Sequence, residues 1–230
     1  DEMIKKDIVK YTGLKSNYKL FTTSFDRVNI HYNIIKAIKP ITDHVLEVLL
    51  KYDKNTQGIV YCGTRESAEK MSQFLNMLGY PSLCYHAGMK KKEKEKAQED
   101  YSNGVVKIVC ATVAFGMGID IPCVRFVIHV DPPHTFDDYS QQTGRCSRDG
   151  ERADAFLIYD PATLRKASWL ISQTTKNPDR LQIKLTKLRK FHAFCKSDRC
   201  LRTQLLEYFN EKYPKKNCGS CNICLGKLTR

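Results

Sequence analysis

Between Gln57 and Tyr159, short apolar runs rich in β-branched residues alternate with amphipathic stretches. No other feature limits the fold so strongly, because strand–helix alternation at this spacing predicts an α/β, doubly wound, mainly parallel sheet. Strands are expected at GIVYC (58–62), SLCYH (82–86), KIVCAT (107–112), VRFVIHV (124–130) and ADAFLIY (153–159). Ala68, Met71, Phe74, Leu75 and Leu78 fall on one helical face, and Gly79 can stop that helix. The charged run 90–102 and the stretch 136–148 are expected to be further helices. Ligands of such sheets bind outside the carboxyl ends of the strands. The polar loops after Cys62, His86, Thr112 and Val130 all fall at that edge.

Beyond Tyr159 the pattern turns helical. Asp160-Pro161 suits a helix start running to about Gln173. Asn177-Pro178 breaks it, and 179–196 repeats Leu181, Leu185, Leu188 and Phe191 at helical spacing. A last helix is expected over 198–213, with Leu205, Tyr208 and Phe209 inward. Trp169 is read as a packing residue rather than a base-stacking platform. Charge divides the chain at the same place. Residues 1–160 hold 22 Lys and Arg against 21 Asp and Glu, whereas 161–230 hold 16 against 4. Such an asymmetry points to a polyanionic partner, nucleic acid before an acidic membrane. No run is long and apolar enough to span a bilayer, and no signal-peptide pattern opens the chain, so a soluble intracellular protein is expected. The opening DEMIKK carries no initiator methionine and reads as part of something longer.

The ten cysteines form two sets. Cys62, Cys84, Cys110, Cys123 and Cys146 lie mostly in apolar runs and read as small buried side chains. Cys218, Cys221 and Cys224 make CxxCxxC, which can hold one face of a tetrahedral zinc and needs a fourth sulfur. Cys200 is the expected fourth ligand, with Cys195 as competitor. A closed site of this kind is structural. The alternatives are a disulfide pair or an iron–sulfur cluster, the latter disfavoured by the basic surroundings and the absence of a CP ending.

QQTGRCSRDG (141–150) places Arg145 and Arg148 three residues apart. On a helix or helical turn both would share a face, where two forked guanidinium groups suit a polyphosphate. The plainer alternative is a surface pair engaged with Asp138, Asp149 or Glu151. ATVAFGMGID (111–120) follows a buried strand with glycines at 116 and 118, so that backbone N–H groups can approach phosphates. There Asp120 could accept from a ribose hydroxyl. In YCGTRES (61–67) Thr64 can cap a helix and, like Arg65, donate to a phosphate. YHAGM (85–89) is a fourth loop at this edge.

These segments together resemble the RecQ family of DNA helicases, within helicase superfamily two. GIVYCGTRES resembles that family's motif IV, YHAGM its segment IVa, ATVAFGMGID its motif V and QQTGRCSRDG its motif VI. CLRTQLLEYF followed by CGSCNIC resembles its zinc-binding module, and SFDRVNIHY (24–32) the start of its second RecA-like lobe. The departures are Val28 for a common proline, Gln142 for an acid, and Cys146 and Ser147 for other small residues. The resemblance implies three parts: 1–24, the end of a first lobe and a linker; 25–160, a second RecA-like lobe; 161–230, a basic helical zinc-binding subdomain. It implies that Arg148 is an arginine finger on ATP, assisted by Arg145, with Gly118, Asp120 and Gln141 on the nucleotide side. Thr64, Arg65, Gly88 and Thr112 would grip the DNA backbone. Cys200, Cys218, Cys221 and Cys224 would hold structural Zn²⁺.

Neither a GxxxxGK[ST] loop nor a DExH pair occurs in the sequence. ATP and Mg²⁺ are therefore expected mainly on the first lobe, and this chain by itself is expected not to hydrolyse ATP. The implied activity is 3′–5′ unwinding in repair, recombination or replication, with single-stranded DNA, a duplex junction and the first lobe as partners and no membrane. Location would be nuclear in a eukaryote and cytoplasmic otherwise. The competing readings are a zinc-containing nucleic-acid-binding module without motor function and an RNA-directed superfamily-two motor.

Overall fold

Six strands form a single sheet in the computed structural model, which describes residues 9–13, 19, 23–116 and 121–226. They are β1 (Ile30–Lys36), β2 (Gly58–Tyr61), β3 (Ser82–Tyr85), β4 (Ile108–Ala111), β5 (Phe126–His129) and β6 (Ala153–Tyr159), in the order β1-β6-β5-β2-β4-β3. Every neighbouring pair is parallel, as the alternation predicts. β2, β4 and β5 are buried along their whole length, which is why they read as unbroken apolar runs.

The helices are α1 (Ile41–Leu49), α2 (Arg65–Met77), α3 (Lys91–Ser102), α4 (Phe136–Thr143), α5 (Thr163–Thr174), α6 (Pro178–Lys196) and α7 (Leu201–Tyr208). On one face, Val45, Val48, Ala68 and Leu75 of α1 and α2 meet Val60, Cys110, Ile128 and Phe156. On the other, Tyr101, Tyr139, Phe191 and Leu201 of α3, α4, α6 and α7 meet Ile59, Val109, Val127 and Leu157. Helices α6 and α7 therefore share the sheet's core. Phe136, Tyr139, Phe191 and Phe194 join the two parts, with ring centroids 5.0–5.9 Å apart. Among the described residues no helix is long and apolar enough to cross a membrane.

Several elements depart from the sequence reading. β1 and α1 have no counterpart in it. The stretch 136–148 is helical only to Thr143, because Gly144 opens a turn and Ser147 takes a left-handed backbone (φ +57°). The last helix covers Leu201–Tyr208 rather than 198–213, stopped by Asn210 at φ +59°. α5 begins at Thr163, although the Asp160 carboxylate does accept the Ala162 N–H (2.8 Å). Leu78 and Trp169 are exposed, the latter at 64%, so neither packs inward. Cys123 is exposed as well, outside its apolar run.

The cysteine-rich loop lies along β1, an edge strand. The Asn222 N–H donates to the Tyr32 carbonyl (3.1 Å), its side-chain amide donates to the Ile34 carbonyl (2.9 Å), and its Oδ1 accepts the Ile34 N–H (3.3 Å). One asparagine thus supplies the pairing that a further strand would have given.

Candidate nucleotide, DNA and metal sites

The loops leaving β2, β3, β4 and β5 all open at the carboxyl edge of the sheet. They are tied to one another. The Gly63 N–H, after β2, donates to Asp131 after β5 (2.8 Å), and the Thr112 N–H, after β4, donates to the Tyr85 carbonyl of β3 (3.1 Å). Thr64 caps α2: its Oγ1 accepts the Ser67 N–H, and the Ser67 hydroxyl accepts the Thr64 N–H (both 3.1 Å). Thr64 and Thr112 line one cleft of about 440 Å³, which Thr163, Lys166 and Leu170 of α5 line as well. Arg65 is exposed and lies over Gly88, where an added β-carbon would sit 2.8 Å from Nη1. The structure thus brings Arg65 to Gly88 and Thr64 to Thr112. A depression of about 470 Å³ at the opposite edge, lined by Thr56, Gln57, Gly104 and Arg125, is remote from these loops.

Arg145 and Arg148 do not share a helical face, because α4 ends before either. Arg145 turns inward, and its guanidinium donates to the Gly116 carbonyl. Gly116 is required there: its φ is +114°, and a β-carbon would lie 2.3 Å from the Arg145 Nε. Arg148 follows the left-handed Ser147 and is exposed, as is Gln141. Both arginines act on Tyr61 at the end of β2. Burial pushes its phenol up to about 12, and their positive charges pull it the other way. Gly118 and Asp120 lie outside the described residues.

Cys146 and Ser147 are both buried, so small residues are what this turn has room for. Gln142 is buried too, and its Oε1 accepts from Nε2 of His129 (2.8 Å). Burial pushes the His129 imidazole down to about 4, leaving a neutral ring beside a neutral amide. An acid here would be paired inside the core, a consequence of the Gln142 departure that the sequence does not display.

The Sγ atoms of Cys200, Cys218, Cys221 and Cys224 all lie within 4.8 Å of one another. Those of Cys218 and Cys224 are 3.9 Å apart, close to the edge of a tetrahedron built on zinc–sulfur bonds of about 2.3 Å. Backbone N–H groups point at the sulfurs, from Cys218 to Cys200 (3.3 Å), from Cys221 to Cys218 (3.3 Å) and from Cys224 to Cys221 (3.5 Å). Burial opposes ionisation of Cys218, but hydrogen bonds from Ser220 and Cys221 outweigh it and bring the thiol down to about 6. Four soft donors with N–H groups aimed at them fit zinc. Cys195 is buried in the core and stands outside the set. The sequence reading missed Arg27 and Arg202, whose contacts span more than a hundred residues.

Residues 41–150 match the family model described as helicase conserved C-terminal domain, and residues 161–225 match the RecQ zinc-binding model. Among curated proteins, the ATP-dependent DNA helicase RecQ of Pasteurella multocida is 36% identical over 98% of this chain and 35% of its own length. The protein of the same description from Haemophilus influenzae is 37% identical over 98% of this chain and 36% of its length. The ATP-dependent helicase SGS1 of Saccharomyces cerevisiae is 35% identical over 97% of this chain and 16% of its length. The chain thus spans about a third of the two bacterial relatives and less of the yeast one. Among solved structures, a variant of S. cerevisiae Dbp5 bound to RNA and ADP BeF3 superposes with a TM-score of 0.59 at 17% identity. The likeness covers 82% of this chain and 52% of that one, and is a likeness of fold.

Proposed function

The chain belongs to the RecQ family of helicases, and on that footing we propose that it is the C-terminal half of the motor core of a 3′–5′ ATP-dependent DNA helicase. In this reading residues 25–160 are the second RecA-like lobe, 161–230 the basic zinc-binding module, and 1–24 the end of the first lobe and its linker. The observation that supports the reading is that Arg148 is exposed beyond a buried turn at the amino edge of the sheet, where the Ser147 N–H donates to the Val124 carbonyl (3.1 Å) and Asp149 pairs with Arg125, both just ahead of β5. Its guanidinium serves the γ-phosphate of an ATP held, with Mg²⁺, mainly by the first lobe. Arg145, bonded to Gly116, assists Arg148, and Gly118, Asp120 and Gln141 serve the nucleotide side. Thr64, Arg65, Gly88 and Thr112 hold the DNA backbone at the single-strand side of a duplex junction.

Zinc on Cys200, Cys218, Cys221 and Cys224 supplies a structural crosslink and no chemistry. The protein acts in repair, recombination or replication, in the nucleus of a eukaryote or the cytoplasm of a bacterium. An arginine finger is worth about 10³–10⁵ in rate. Arg148→Ala in the full-length enzyme is therefore expected to lower ATP turnover by about 10³ or more while DNA affinity stays near wild type. Turnover near wild type in that variant removes the assignment.

A further inference from the structure

Arg27 lies in the segment that leads into β1. Its Nη1 donates to the carbonyl of Gly144 (3.2 Å), and its Nη2 to those of Cys146 (3.1 Å) and Ser147 (3.0 Å). These carbonyls follow the end of α4, where a helix leaves acceptors without partners. One planar fork thus serves three acceptors around Ser147, whose left-handed backbone persists only where its surroundings hold it. On the other side of Arg148, Arg125 forks onto Asp149, with Nη1 3.0 Å from Oδ1. Arg148 stands between two guanidinium braces.

Arg27 is itself held. Arg202 of α7 is only 2% exposed and donates to the carbonyls of Arg27 (2.9 Å), Val28 (3.3 Å) and Ile30 (2.6 Å). It also pairs with the Asp26 carboxylate and lies 5.5 Å from the Tyr32 ring. Phe25 stacks on Phe209 at 4.5 Å, and its N–H donates to Glu211 (2.7 Å). The zinc-side module grips this segment, and the Arg27 side chain grips the turn that carries Arg148.

We propose that Arg27 is a positioning residue for Arg148 and that Arg202 fixes Arg27, so that the zinc-side module and the catalytic turn behave as one body. The inference rests on the reading of Arg148 as the catalytic guanidinium. Arg27 acts through the backbone of residues 144–147, so its loss falls on kcat and not on KM. Lysine at position 27 keeps the charge but replaces a three-acceptor fork with a point donor, so it rescues poorly.

The test uses the full-length enzyme, with DNA-stimulated ATP turnover, nucleotide KM, DNA Kd, zinc content and melting temperature measured for each variant. Arg27→Lys and Arg202→Lys are expected to lower kcat about tenfold, and Arg27→Ala about a hundredfold, with KM and Kd within about twofold of wild type. On an Arg148→Ala background, Arg27→Ala should add less than about twofold. Near-wild-type kcat in the Arg27 variants beside an inactive Arg148→Ala overturns the clasp and leaves the catalytic arginine standing. A full multiplicative loss in the double variant does the same. Normal turnover in Arg148→Ala instead sinks the underlying reading. Normal kcat in Arg202→Lys breaks the link to the zinc-side module. If Arg27→Ala fails to fold, Arg27→Lys decides: lowered kcat at unchanged melting temperature supports the clasp, and unchanged kcat overturns it.

Discussion

His129 carries its consequences in a single proton. Its imidazole ordinarily titrates at 6.5 and is pushed down to about 4 by burial, against the opposing hydrogen bond to Gln142. Between those values the unfolded chain binds the proton and the folded one does not, so stability is complete above about pH 6.5 and declines toward pH 4. The loss from this ring approaches about 3 kcal/mol at pH 4. His192, depressed by burial and by the charges of Lys196 and His134, adds to the same slope. Urea midpoints between pH 4 and 8 should show the decline, and His129→Gln should flatten part of it. Gln142→Glu should shrink the decline, because a carboxylate beside the ring raises the folded-state pKa of His129 back toward its ordinary value. Gly116→Ala forces a β-carbon into the Arg145 guanidinium at a positive φ, and should lower stability by about 2 kcal/mol in denaturant titration. The sequence marks Gln142 as a substituted acid, but its neutral partner thirteen residues earlier appears only once β5 and α4 are packed together.

At the scale of elements, what could be read from the chain was what burial dictates locally. The central strands announce themselves because both their faces are covered. β1 does not, since an edge strand alternating buried and half-buried residues has only half such a signature. The ends of α4 and α7 were misread although their signals were present, Gly144 at the first and Asn210 at the second. Arg27 carried no signal at all, since its acceptors lie 117 to 120 residues away. The cysteine pattern was plain in sequence, and only the choice between Cys195 and Cys200 waited for the geometry. Cys200→Ser should therefore release zinc, measured as metal per chain, whereas Cys195→Ala should retain it. Binding at such a site is worth on the order of 10 kcal/mol, so a chelator should melt α7 and, through the shared core, lower the melting temperature of the sheet as well.

For the whole molecule, the parallel sheet and the basic tail were both legible, the first from periodicity and the second from charge. Of the formal +13, the last seventy residues carry 16 cations against 4 anions. Binding to single-stranded DNA should accordingly weaken by about tenfold or more between 50 and 200 mM salt, as phosphates regain their counterions. A flat titration would remove the tail from the DNA contact. The asparagine seam along β1 bears on survival in a zinc-poor cell. If the metal loop lifts away, Tyr32 and Ile34 present bare amide and carbonyl groups that the β1 of a second molecule can match, so starvation for the ion would favour self-templated, cross-strand clumping over simple loss of activity.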